Sequence, residues 1–167
     1  MFAMQLSKPW EDGMNDQDCK DTARQVISSV LENAAFIFAD PMEAGSEPQL
    51  DSWQADGVAL EFKGSAGGAM HMWAGSGFSR YAAANMLGVE EDDENASRKG
   101  LDALKEILNM IVGNLLTEVY GSEPVYDLSI PRTLDKQELA TDYGDPQAVW
   151  LEAEGNQVLF VLRTAQA

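Results

Sequence analysis

Between about Asn95 and Tyr120 the chain carries a proline-free run whose apolar residues recur at helical spacing, and this run does more than any other to limit the available folds. A helix advances about 100° per residue, so Leu101, Leu104, Leu108, Ile111, Val112, Leu115 and Val119 cover one side of it. Asp102, Glu106, Asn109 and Gly113 line the other. A helix so greasy on one side needs a core to receive it, which the rest of the chain must build. The polar stripe carries its own constraint. An Asn among aliphatic residues lowers helix propensity and, if buried unpaired, costs roughly 1 to 3 kcal/mol, so Asn109 belongs at solvent or against a partner. Gly113, about 1 kcal/mol worse than Ala inside a helix, leaves room for another surface to come close. Periodicity alone leaves two readings open, a solvated face and a docking face.

A length of 167 residues suffices for one hydrophobic core, and we read a single domain over residues 17–167 behind an N-terminal extension, residues 1–16. Acidic residues outnumber basic ones 28 to 11, and the net charge of -17 argues against nucleic acid or anionic lipid as partners. The single cysteine, Cys19, rules out an intrachain disulfide and a multi-cysteine metal site, and the single histidine, His71, rules out a His-rich one. Residues 1–16 lack a signal-peptide apolar run, and no stretch reaches the length of a membrane span, so a soluble, cytoplasmic chain is expected.

The first helix is expected over Asp18 to Ala39, stopped by Asp40-Pro41. Strands are expected at Gln49 to Trp53, Gly57 to Lys63 and Gly68 to Ala74, the last two joined by the turn Gly64-Ser65-Ala66-Gly67. Gly77 to Leu87, closed by Gly88, reads as a short helix, and the long helix follows. Val125 to Ile130, Ala148 to Glu152 and Gln157 to Arg163 supply three further strands. Helix and three strands therefore occur twice, an α+β unit written in duplicate with pseudo-two-fold symmetry. Gly45-Ser46-Glu47-Pro48 and Gly121-Ser122-Glu123-Pro124 each fall between a long helix and the first strand of a half. Arg132 to Asp145 reads as an extra loop, exposed and mobile. Helix one has Ser29, Glu32 and Asn33 but no Glu-x-x-Asn, so chemistry is expected in one half only.

Asp102, Glu106 four positions on, Asn109 three further and Pro131 downstream resemble the signature of the CheX, CheC and FliY chemotaxis phosphatase family. The likeness extends to Asn109-Met110-Ile111-Val112-Gly113-Asn114, to Leu60-Glu61-Phe62-Lys63-Gly64 and to Ala82 to Gly88. One motif rather than two resembles the CheX-like members. This resemblance implies hydrolysis of the phospho-aspartate on a CheY-type response-regulator receiver, with Asn109 orienting the attacking water and Glu106 pairing with the receiver's lysine. Mg2+ would be held by the receiver, with no cofactor of the chain's own, and a homodimer is implied. The alternative is a non-catalytic adaptor or flagellar-switch-like module that keeps the stripe for docking.

The remaining candidates read as structural. Asp102, which with Gly113 could belong to the docking face, also lies near the helix start, where a carboxylate favours the dipole, and the structural role is preferred. Glu90 to Glu94 lacks the alternation of a calcium loop and reads as a solvated lead into the helix. His71 alternates on a strand as a surface or satisfied interior residue. Acidic neighbours raise the thiol pKa expected of Cys19, and Trp10, Trp53, Trp73 and Trp150 read as core or interface.

Overall fold

A computed structural model describes residues 16–164, so the extension assigned to residues 1–16, Trp10 included, lies outside the described residues except for Asp16. The apolar periodicity of the first helix becomes α1, Asp16–Ala35, with Ile27, Leu31 and Ala35 fully buried. It ends four residues before the expected Ala39. Phe36 takes a left-handed φ of 54°, its N–H donates to Glu32 O at 3.1 Å, and the Ile37 N–H reaches Leu31 O at 3.0 Å while Ile37 drops into the core. Residues beyond this stop form a strand, β1, Ala39–Pro41.

The expected strand at Gln49 to Trp53 is instead a turn, in which the Ser52 and Trp53 N–H groups both donate to Gln49 O at 3.1 and 3.0 Å. Leu50 and Trp53 still face inward, as packing residues rather than strand residues. The glycine turn joins β2, Ala55–Lys63, to β3, Gly67–Gly75, as an antiparallel hairpin. Helix α2, Ser76–Leu87, closes on Gly88 at φ 68°, with the Val89 N–H bonded back to Ala84 O at 3.0 Å. Helix α3 is Glu94–Tyr120. The strand expected over Val125 to Ile130 contracts to β4, Asp127–Leu128: at Ser129 the backbone N–H still donates to Glu61 O, but the Glu61 N–H donates to the Ser129 hydroxyl in place of a backbone carbonyl.

The segment expected as an exposed, mobile loop carries regular secondary structure. It contains β5, Arg132–Thr133, and α4, Lys136–Tyr143, whose N-cap Asp135 accepts from the Gln137 and Glu138 N–H groups while Glu138 returns to the Asp135 N–H at 3.0 Å. β6, Val149–Ala153, and β7, Asn156–Thr164, complete one sheet in the order β1-β6-β7-β3-β2-β4, with β5 also on β2. Exchanging β1 with β4, β2 with β6 and β3 with β7 returns the same order, so the sheet has two-fold character although α4 and β5 have no counterpart in the first half. Gly45 and Gly121 share positive φ, 86° and 81°, yet Gly45 follows β1 whereas Gly121 caps α3.

Alternation along the strands sends Val58, Leu60, Phe62, Met70, Met72, Val158 and Phe160 to one face, where α1, α2 and α3 cover them. The opposite face carries Ala59, Trp73, Leu159 and Val161 beneath Leu134 and Leu139 of the α4 segment. No helix among the described residues is long and apolar enough to cross a membrane.

Candidate functional site

Helix α3 is started by Asp93, whose carboxylate accepts from the Asn95 N–H at 2.7 Å, and it is fixed by Leu104, Ile107, Leu108, Ile111 and Val112, all buried. The acidic run thus leads into the helix and caps it, with Glu91 also meeting Arg80 at 3.1 Å. Asp102 is not near the helix start as expected. It lies more than two turns inside and pairs with Lys99 at 3.2 Å, while the dipole is met by Asp93 and Glu94 in the first turn.

Glu106 is exposed, and Asn109 and Gly113 are half-buried on the same face. The residues one turn to either side of Glu106 are Asp102, Ala103, Asn109 and Met110, so no basic side chain of the helix neutralises its carboxylate. Asn109 differs from every other asparagine in the described residues. Asn33, Asn85 and Asn114 each donate to a backbone carbonyl at 2.8 Å, Asn156 does so at 3.2 Å, and Asn95 accepts from Arg98. Asn109 makes no hydrogen bond within the described chain, so its amide keeps both donor and acceptor available. A Cβ added at Gly113 would meet nothing within 4 Å among the described residues, so none of them fills the space it leaves. On α1, by contrast, the Asn33 amide is folded back onto Ser29. Pro131 stands half-buried just before β5.

A second polar centre, which no sequence motif marks, lies beneath α4. Asp142, fully buried, takes His71 Nδ1 and Trp73 Nε1 on Oδ2, both at 2.7 Å, and its Oδ1 meets the Arg163 guanidinium at 2.7 Å as a charge contact. Arg163 also reaches Asp145 at 3.0 Å. Burial alone would push the Asp142 pKa up, but hydrogen bonds from His71 and Trp73 and the charges of His71 and Arg163 outweigh it and hold the carboxyl below its ordinary range. His71 is a satisfied interior histidine, and the cluster clasps α4 to the sheet. Among the described residues no group of His, Cys, Asp and Glu is placed to hold a metal ion.

A family model described as "Chemotaxis phosphatase CheX" matches residues 57–154, well over half of the chain. The chain belongs to the CheX family. Solved structures of similar fold include a CheX from Borrelia burgdorferi, at 20% identity and a TM-score of 0.61 over 87% of this chain and 97% of that one. CheX from Vibrio vulnificus superposes with a TM-score of 0.65 at 14% identity, over 90% and 98% of the two chains. FliY from Thermotoga maritima has a TM-score of 0.52 at 16% identity, over 96% and 91%. At these identities the likeness speaks for the α+β fold. No curated protein sequence matches the chain.

Proposed function

We propose that this CheX-family chain hydrolyses the phospho-aspartate of a CheY-type receiver, with Asn109 and Glu106 as its working residues. The observation that carries the reading is the Asn109 amide, one helical turn from the Glu106 carboxylate on the exposed side of α3, both without a partner among the described residues. The Borrelia burgdorferi structure, a CheX-CheY-BeF3-Mg2+ complex, supports a receiver as the partner and Mg2+ as an ion that travels with it.

An acyl phosphate is a mixed anhydride of a carboxylic acid and phosphoric acid and is already activated, so the enzyme has little covalent chemistry to do and much positioning. Water attacks phosphorus in line, the bond from phosphorus to the aspartyl oxygen breaks, and its electron pair leaves on the receiver's carboxylate while inorganic phosphate departs. The Asn109 amide offers an oxygen to accept from that water and an N–H2 to steer a phosphoryl oxygen. Glu106 offers a carboxylate to the cationic lysine of a receiver pocket, a charge-assisted bond that fixes register. Asp102 and Gly113 border the contact. Mg2+ sits with the receiver's own acids, and the setting is the cytoplasm, where such receivers work. A homodimer belongs to the same proposal, and sedimentation equilibrium reads its mass directly.

The test is the decay of a Mg2+-loaded phosphorylated CheY-type receiver with catalytic amounts of this chain. Acceleration that falls about 100-fold or more in Asn109→Ala, while binding survives, is the expected result. Glu106→Ala should weaken binding itself. Binding without any acceleration by the unaltered chain would refute the phosphatase and favour an adaptor.

A further inference from the structure

Ile130 is the most exposed large apolar residue described, at 91%, and its position can be worked out from the register. Helix α3 runs parallel to β2. Asp56 accepts from Ser79 Oγ at 2.8 Å, and a Cβ on Gly100 would lie 3.1 Å from that same Oγ, so the start of β2 is level with Gly100. Near the other end, Phe62 lines a small apolar cavity with Val112, Leu115, Leu116 and Val119. From Asp56 to Phe62 a strand rises ~20 Å, and from Gly100 to Leu115 a helix rises ~22 Å, so the two advance together and Leu60 is level with about Asn109.

Ile130 lies opposite Leu60 on the outer edge of β2. Leu128 pairs with Phe62, the Ser129 N–H donates to Glu61 O at 2.8 Å, and Arg132 pairs with Ala59. The Ser129 hydroxyl also accepts from the Glu61 N–H at 2.9 Å, and Pro131 fixes the next φ, so the backbone displaying Ile130 is held on both sides. The flank of α3 is settled by its neighbours. Met110 and Asn114 face α1 across a groove shared with Ser29, Val30 and Asn33. Asn109, about 100° round the helix from Met110, is turned the other way, towards the β4–β5 edge. An exposed isoleucine on a pinned backbone therefore lies level with Asn109 and on the flank of α3 to which that residue turns.

We propose that Ile130 is an apolar docking contact for the phosphorylated receiver, setting its affinity and leaving the chemical step to Asn109. The inference rests on the phosphatase reading: if the amide reaches the aspartyl phosphate, the receiver surface bordering that pocket on this flank must pass over Ile130. Burying an isoleucine against that surface is worth roughly a factor of ten in affinity.

The test measures phosphate release against receiver concentration, and in parallel binding of the receiver loaded with beryllofluoride and Mg2+. Ile130→Ser, which loses no internal packing, should raise KM and Kd about tenfold with kcat within twofold, and Ile130→Leu should restore both. Val125→Ser, 84% exposed but displayed at Gly64 at the far end of β4, should change neither. An unchanged KM and Kd in Ile130→Ser, alongside an active unaltered chain, overturns the docking role. So does a fall in kcat alone. If the unaltered chain binds without accelerating decay while Ile130→Ser still weakens binding, the docking contact stands and the phosphatase falls. Absence of binding overturns both.

Discussion

Replacing Asp142 with Asn keeps the side-chain shape and removes the charge, so it isolates what the α4 clasp contributes. Oδ2 receives two donors, His71 Nδ1 and Trp73 Nε1, and Oδ1 faces Arg163. An amide can present its oxygen to one side only. With the oxygen towards Trp73, its N–H2 opposes the guanidinium; with the amide reversed, the buried Trp73 N–H loses its acceptor. Either way one buried polar group is left unsatisfied, at about 1 to 3 kcal/mol, and the bonus of charge-assisted bonding goes as well. Arg163 is 35% exposed and keeps Asp145, so its share is discounted for solvent screening. The expected loss at pH 7 is about 2 to 4 kcal/mol, roughly 4 to 16 °C in Tm for a chain of this size. Urea unfolding followed by tryptophan fluorescence is apt, because Trp73 contacts the altered atom and Trp53 and Trp150 stand 5.2 Å apart in the same layer. The sign with pH follows from a depressed folded-state pKa. The contribution of Asp142 is complete above the unfolded value of about 3.9 and is lost as pH falls through the lower folded value, so the gap between the two proteins should narrow below about pH 4. A variant within about 1 kcal/mol of the original at pH 7, or a gap indifferent to acid, would refute the clasp.

Gly113→Ala should stabilise the protein by about 1 kcal/mol in urea titration, since the added methyl meets nothing among the described residues; a loss of stability would mean that the space is needed internally. Asn109→Ala should likewise raise stability, by up to about 0.7 kcal/mol, while receiver turnover falls; a large destabilisation would assign Asn109 to the fold instead. The Tyr120 hydroxyl is buried without a partner among the described residues, and burial, with a smaller push from Tyr126, raises its pKa to about 12. Tyr120→Phe should therefore gain about 1 kcal/mol and delete the latest phenol from an ultraviolet titration. In the unaltered protein the corresponding stability is present below about pH 10 and fades as pH approaches the folded value.

Features that live within one helix or one hairpin were legible in the chain. The period of α3, the glycine turn between β2 and β3, and the Gly88 stop all follow from local chemistry, and so does the placing of Glu106 and Asn109 on one face. What escaped depends on distant partners. Ala39–Pro41 has no strand pattern and becomes β1 only because β6 lies beside it. Asp142 reads as one more acid in a polar stretch until His71, Trp73 and Arg163, from two strands far off in sequence, converge on it. One local signal was available: Asp135-x-x-Glu138 ahead of Leu139 is a capping box, and it marks the start of α4. Placing Ile130 level with Asn109 needed the pairing of β4 and β5 with β2, which the residues do not announce.

The sheet order also bears on how the chain reaches its native state. β1 leaves the first half to pair with β6, and β4 leaves the second half to pair with β2, so each half lends a border strand to the other. A fragment ending at Gly88 would keep its hairpin but lose the neighbours of β1 and of β3, leaving bare edges prone to association. Neither half can ripen first and serve as a template for the other. The border strand β1 waits for a partner more than a hundred positions downstream, so closing the sheet is a late event, entropically expensive, and slow compared with the making of any single helix.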